Sequence, residues 1–544
     1  MTSITDAKKA FLQLFPPFMV LLVLFPILVG FFIDYDLSDG FAIVTNLIWM
    51  LIITIPFYLT QKKLFYRIGV WGYFVIGLFE ISHWLMMKGP LSIISLLIVS
   101  NTNSEEALAY LDMKLDWSFI VLLLYFIVFI LALRKGPKKK VGFTGKPLYL
   151  GVVLFLVATI ILGFRNRIPK YRFLPQSVKI AYAFVNELKD YRKALKDNVL
   201  KKVDAKLSWE SSQKQTFVLI LGESCSRNHM SLYKPELNTN PKLSARNDII
   251  TYSDVISGYS YTIQNVQAML SDSNLKQEKK VSERFDLIDI FHSAGFKTYW
   301  ISNQSPIGIW DNVISGLARK SDQVEFVNTK NNSSQEALLS RAYDENIIAP
   351  FKKVLEEPID KKFIVLHLMG SHNTYSRRYP PNFEFFKDES SKRNRIIAEY
   401  RNSIRYNDYV VDSFLNILDK STSLEENEIS SAIYVSDHGE NVFDELVGVD
   451  QGWGHDYAKV LPKVVVEVPF FVWLSKGYLK NGEEKVPIIY EQRDMPYVTD
   501  DLFHSIIDIN GINTPFLDTS RSVFNKQFDF TRKRVLIDGN DYDK

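Results

Sequence analysis

Apolar residues are spread unevenly along this 544-residue chain: they crowd into its first third and later recur as short, spaced runs. Five long apolar stretches precede residue 165, at 11–33, 41–59, 69–87, 117–133 and 148–164. Each approaches the ~17–25 residues that a helix needs to cross a ~30 Å hydrocarbon core. A cleaved signal peptide accounts for the first stretch at most, and buried core helices are usually shorter and amphipathic. The pattern therefore predicts a transmembrane domain of five helices over residues 1–165. Lys8, Lys9, Lys62, Lys63 and Arg67 flank one side of these spans, as do Arg134, Lys135, Lys138, Lys139, Lys140 and Lys146. The loop DYDLSDG has no basic residue, and the loop after the third span has only Lys88 and Lys114. Basic loops stay cytoplasmic, so the N-terminus is expected inside and everything after residue 165 outside.

Residues 166–214 are rich in Lys and carry Val178, Ala181, Phe184, Val185 and Leu188 at helical spacing. They predict a linker helix, either near the lipid headgroups or solvated on the outer domain. Over 215–544 the runs TFVLIL, FKTYWIS, KFIVLHL, SAIYVS, VVVEVPFFVWL and RVLID alternate with helical stretches. Such alternation predicts an α/β domain with a mainly parallel sheet flanked by helices.

Composition narrows the function classes. With 64 Lys+Arg against 61 Asp+Glu, the net charge of +3 argues against a nucleic-acid-coating protein. The single cysteine, Cys225, excludes an internal disulfide framework and a multi-cysteine metal site. A mean hydropathy of −0.02 describes neither half of the chain.

In open α/β sheets ligands gather beyond the carboxyl ends of the strands. TFVLIL is followed by Gly222-Glu223-Ser224, KFIVLHL by Gly370-Ser371-His372, and SAIYVS by Asp437-His438-Gly439-Glu440. One such carboxylate–imidazole pair is as readily a core ion pair; three polar strand ends point to a metal site. Oxygen and imidazole ligands without paired cysteines suit zinc or manganese. A metal of that kind polarises a phosphoryl or sulfuryl oxygen and activates a hydroxyl. The nucleophilic cysteine motif of some sulfatases, Cys-x-Pro-x-Arg, is not met: Cys225-Ser226-Arg227-Asn228-His229 has Arg for Pro and His for Arg.

Behind the five apolar stretches, the ordered segments GESCSRNHMSLY, SDVISGYSYTIQNVQAMLS, VLHLMGSH, YVSDHGEN and WGHDY carry a resemblance. The chain resembles the inner-membrane phosphoethanolamine transferases of Gram-negative bacteria, within the alkaline phosphatase and sulfatase superfamily. The resemblance implies zinc as cofactor, with Glu223, Asp437 and His438 as ligands. It implies Thr262 as the zinc-bound nucleophile, and His372 and His455 as residues for the substrate phosphate or a second metal. The implied donor is phosphatidylethanolamine, and Thr102 and Glu106 in SNTNSEEALAYL match its binding segment. The family's preceding asparagine falls at Ile98, with Asn101 or Asn103 as its replacement. Glu80 and His83, one turn apart near the outer end of the third span, face either a donor cavity or the helix packing.

FKTYWISNQ, RAYDENIIAPFKKVL, NDYVVDSF and DTSRSVFNKQF resemble the members that modify a heptose of the lipopolysaccharide inner core more than those that modify lipid A. The expectation is thus a multi-pass bacterial inner-membrane enzyme with a periplasmic catalytic domain at 215–544. It would pass phosphoethanolamine from phosphatidylethanolamine to a core sugar through a phosphorylated threonine. The same site on lipid A or a periplasmic glucan, or transferring phosphoglycerol, is the second reading. A membrane sensor or scaffold with a dead site is the third.

Overall fold

The computed structural model describes residues 16–34, 45–50, 62–87, 117–136, 200–209, 213–304, 313–328, 343–422, 428–447, 451–455 and 461–544, with scattered positions at 43–60, 91–96 and 177–189. The chain divides into two compact units, residues 1–100 with 111–190, and residues 101–110 with 191–544.

In the first unit, helices α1 (Pro17–Asp34), α2 (Lys63–Met87) and α3 (Ile120–Arg134) pack on one another. Two tyrosine hydroxyls on these helices find carbonyl acceptors within the bundle. The Tyr125 hydroxyl donates to Tyr73 O at 2.8 Å, and the Tyr66 hydroxyl to Ala132 O at 3.0 Å. Phe74 stacks on Phe129 with ring centroids 4.1 Å apart. A Cβ at Gly77 would lie 2.0 Å from the Tyr125 hydroxyl, so only glycine admits this helix approach. Among the described residues one helix, α2, is long and apolar enough to cross a membrane, while α1 and α3 are shorter apolar helices. α2 starts at Lys63, earlier than the expected residue 69. Described positions between 43 and 60 are helical, and the fifth expected span, 148–164, lies outside the described residues. Glu80 accepts a hydrogen bond from the Ser177 hydroxyl, and His83 is buried.

The second unit is built on a seven-stranded sheet. Its strands are β1 (Gln215–Gly222), β2 (Ile249–Tyr252), β3 (Lys297–Ser302), β4 (Gln323–Phe326), β5 (Lys361–His367), β6 (Ile429–Ser436) and β7 (Phe470–Leu474). The spatial order is β2-β7-β6-β1-β5-β3-β4, with only β7 antiparallel to its neighbours. β1 is buried along its whole length, which is why it reads as an uninterrupted apolar run. Alternate side chains feed two cores. Phe217, Leu219 and Leu221 join α4 (Thr262–Leu270), α5 (Leu287–Ser293) and α8 (Leu502–Ile509) on one face. Val218 and Ile220 join α6 (Ile348–Glu356) and the 31-residue α7 (Lys392–Thr422) on the other. The result is a three-layer helix–sheet–helix sandwich.

Three expected elements differ. The first half of VVVEVPFFVWL forms a turn at Lys463–Val465, and Pro469 leaves only Phe470–Leu474 in the sheet. RVLID adds no strand: Val535 makes an isolated bridge to Asp541, because Gly539, at φ +83°, reverses the chain. Within the expected linker, the described positions among 177–189 are helical, whereas 200–209 runs extended. There Lys206 and Leu207 pair with Asn513 and Ile512, and Trp209 Nε1 donates to Asn510 O. That pairing, together with the apolar contacts of Leu200, Val203 and Leu207 on the sheet's core, outweighs helical propensity.

Candidate active site

The chain order reverses about β1: β5, β3 and β4 lie to one side of it, β6, β7 and β2 to the other. At such a switch point ligands bind beyond the carboxyl ends of the strands, here β1, β5 and β6. Glu223 leaves β1, Asp437 and His438 leave β6, and the loop carrying His372 leaves β5.

Backbone hydrogen bonds fix these loops to one another. Asp437 N donates to Gly222 O at 3.2 Å, and Ser371 N donates to Glu223 O at 2.9 Å. Ser224 takes φ +54°, turning its N–H onto Asp437 Oδ1 at 3.1 Å while His438 N donates to the same oxygen at 2.7 Å. The Tyr400 hydroxyl, from α7, donates to Ser224 O at 2.8 Å and holds that turn. Behind the β5 loop, buried Asp344 accepts from Met369 N and Gly370 N at 2.8 and 2.9 Å. Gly370 sits at φ +52°, and a Cβ there would lie 2.6 Å from Glu223 O.

One ligand atom from each of Glu223, Asp437 and His438 lies within 4.8 Å of the others, and all three side chains are buried. Thr262, the first residue of α4, brings Oγ1 to 3.2 Å from Glu223 Oε2 and 3.3 Å from His438 Nε2. The first turn of α4 itself has no acidic residue, so the positive end of the helix faces the carboxylates of Glu223 and Asp437 across the hydroxyl. The structure thus brings together the four residues expected at the metal.

The donor set fits a hard or borderline dication. Asp437 Oδ2 is buried without a hydrogen bond. His438 Nδ1 lies 2.7 Å from Gly439 O; as the donor to that carbonyl it leaves Nε2 to face the carboxylates. Burial disfavours the imidazolium, yet Asp437 and Glu223 push the His438 pKa up to about 10. Burial and then the Glu223 charge push Asp437 up to about 7. Burial opposes ionisation of Glu223, but the hydrogen bond and charge of His438 hold it below the usual carboxylate range. Two buried carboxylates and an imidazole thus converge where a positive charge offsets the mutual repulsion of the carboxylates, as a site shaped for a cation does.

His455 forms a second layer. Its Nδ1 lies 2.6 Å from Glu440 Oε2, and its ring is 4.3 Å from that of His438. Tyr375 completes the layer by donating to Glu440 Oε1 at 2.7 Å. His438, Glu440 and His455 also have ligand atoms within 4.8 Å of one another. His372 lies close enough to Glu223 for its charge to lower that carboxyl's pKa. Glu440 was visible within Asp437-His438-Gly439-Glu440 without an assigned role, and nothing near Tyr375 in the sequence marks it. Gln304, at the end of β3, donates to Glu223 Oε2 at 3.4 Å and Leu368 O at 2.9 Å; the strand-end rule could have found it. Thr102 and Glu106 lie outside the described residues. Burial raises the Cys225 thiol to about 12, so it stays protonated and packs after β1.

A sheet of this topology, with candidate nitrogen and oxygen ligands at its switch point and a hydroxyl at a helix start, is that of the alkaline phosphatase and sulfatase superfamily. The sulfatase family model matches residues 215–512, more than half of the chain, and the chain belongs to that family. It is 29% identical over 376 residues to phosphoethanolamine transferase EptC of Escherichia coli K12, covering 67% of this chain and 62% of that protein. With phosphoethanolamine transferase CptA of Salmonella typhimurium LT2 the identity is 29% over 339 residues, 61% of this chain and 56% of that one. The alignments thus span less than two thirds of these relatives. The C-terminal periplasmic domain of the E. coli EptC, crystallised in complex with zinc, superposes with a TM-score of 0.56 at 28% identity, over 64% of this chain and 97% of that one. The integral membrane protein EptA of Neisseria meningitidis shares the fold over 96% of this chain and 98% of its own, with a TM-score of 0.64 at 17% identity.

Proposed function

We propose that this protein transfers phosphoethanolamine from phosphatidylethanolamine to a sugar of the lipopolysaccharide inner core, a heptose by the resemblance of its outer segments. Its five spans would anchor it in the bacterial inner membrane, with the domain from 215 onward in the periplasm. The observation that carries the reading is the convergence of Thr262 Oγ1 on Glu223 and His438 at a strand-end cluster of buried ligands. The relatives named phosphoethanolamine transferases support the transferred group, and the zinc complex of the EptC domain supports the metal.

Glu223, Asp437, His438 and Thr262 would hold zinc. When bound, it supplies Lewis-acid polarisation of a phosphoryl oxygen and lowers the pKa of the threonine hydroxyl. Thr262 Oγ1 attacks the donor phosphorus: the Oγ1–P bond forms, the P–O bond to diacylglycerol breaks, and the threonine proton passes to His455 Nε2. The leaving oxygen takes one proton from His455 Nε2, whose other nitrogen is held by Glu440. A sugar hydroxyl then attacks the phosphothreonine: the sugar O–P bond forms, the Oγ1–P bond breaks, and the hydroxyl proton passes through His455 to Oγ1, which regenerates Thr262. The start of α4 stabilises the phosphoryl charge throughout. Thr102 and Glu106 would bind the donor headgroup, and His372 the phosphate.

The test is to incubate the detergent-solubilised full chain, zinc and phosphatidylethanolamine with heptose-containing rough lipopolysaccharide. Diacylglycerol release matched by phosphoethanolamine on the core supports the reading. Absence of diacylglycerol release, or modification of lipid A alone, refutes the donor or the acceptor respectively.

A further inference from the structure

Beyond the second layer, the hairpin Asn441–Val447 and Gln451–Gly454 meets the start of α7 and makes a surface that the chemistry above does not use. Phe443 and Trp453 lie nearly parallel, at 11° with centroids 6.2 Å apart. Arg393 sits over Phe443, 5.3 Å from its centroid, and donates Nη2 to Phe443 O at 3.2 Å. Lys392 Nζ sits 5.9 Å from the centroid of Trp453.

Three features separate this surface from ordinary packing. Phe443 is held at φ +64°, a conformation that a bulky residue rarely adopts. Lys392 and Arg393 are exposed, and neither is paired with a carboxylate among the described residues, whereas their neighbour Arg395 lies within ion-pair range of Glu389 and Glu399. The surface is also continuous with the site: Trp453 packs on Tyr375, whose hydroxyl holds Glu440, which in turn holds His455.

We infer that Phe443, Trp453, Lys392 and Arg393 form the acceptor subsite, which receives an anionic sugar. The partly exposed rings of the pair would meet the C–H face of the pyranose beside the cations. The two cations, held in place by the rings, meet its phosphate substituents. This inference rests on the proposed transfer to a core sugar and assigns it a place.

The test measures binding rather than turnover, so that it stands apart from the transfer chemistry. Calorimetry on the full chain in detergent with zinc would use a phosphorylated inner-core oligosaccharide and its enzymatically dephosphorylated counterpart. Wild type should bind the phosphorylated form about tenfold more tightly or better, the value of one charge-assisted contact. Lys392→Gln with Arg393→Gln should erase that preference at the wild-type melting temperature, and Trp453→Ala should weaken both ligands. Binding by the double variant equal to wild type, or no binding of either oligosaccharide by wild type, would overturn the subsite. Normal binding without any transfer would instead refute the proposed reaction and leave the subsite standing.

Discussion

Thr262 Oγ1 lies 3.2 Å from Glu223 Oε2, although the two residues are 39 positions apart and leave different elements. One ends a buried strand and the other begins a helix, so the pair is positioned by the sheet and one helix axis rather than by a mobile loop. A hydroxyl held in this way can be activated without rearrangement of the protein.

The ligand set is tested most simply by metal content. Glu223→Gln and Asp437→Asn each replace a buried carboxylate with a neutral amide of the same shape. Both should fold, lose stoichiometric zinc by elemental analysis, and lose transfer activity by at least ~100-fold, since even the partners behind metal ligands are worth 10–100-fold. Zinc retained in both variants would show that the metal lies elsewhere.

Gly370→Ala probes the packing behind the ligands. A methyl group there meets Glu223 O at 2.6 Å and Glu223 N at 2.8 Å, and the backbone conformation itself disfavours alanine by roughly 1–2 kcal/mol. Activity should fall more than the melting temperature suggests, because the displaced backbone is that of a site residue. An alanine variant with wild-type activity would show that the β5 loop does not set the position of Glu223.

Tyr375→Phe removes one hydroxyl and leaves Glu440 Oε1 buried without that donor. The expected loss is about 1–3 kcal/mol in stability. Activity should fall further, because Glu440 is what orients His455. Unchanged turnover in the phenylalanine variant would separate His455 from the reaction.

How far the sequence reveals all this depends on the kind of burial. β1, β5 and β6 read clearly because both of their faces are covered, and their polar strand ends could be located before any geometry was known. The edge strands β2 and β4 are four residues long and mix polar with apolar positions, so they left no such run. Thr262 could not be singled out by periodicity: its helix has Tyr261 at the cap with no side-chain hydrogen bond, and only the ordered motifs pointed to it. Glu440 was in plain view, but its role comes from a tyrosine 65 positions away.

Acid stability gives an independent check on the core. His504 is buried on α8, and burial pushes its pKa down to about 3. The unfolded chain protonates this histidine near its usual 6.5, so stability present above that pH is lost as pH falls towards 3. At pH 5 the loss is about 2 kcal/mol. His504→Gln keeps an acceptor for Asp518 N, which donates to His504 Nδ1 at 3.1 Å, and should flatten the difference between the pH 8 and pH 5 melting temperatures. An identical pH slope in both proteins would show that His504 titrates normally.

The central claim is that Thr262 carries the transferred group. The direct measurement is the intact mass of the purified full chain after incubation with zinc and phosphatidylethanolamine and without acceptor, beside Thr262→Ala. The account predicts a single added phosphoethanolamine on wild type, mapped to Thr262 and discharged when core oligosaccharide is supplied, with none on the variant. An adduct on both proteins, or diacylglycerol release by Thr262→Ala at the wild-type rate, would contradict it.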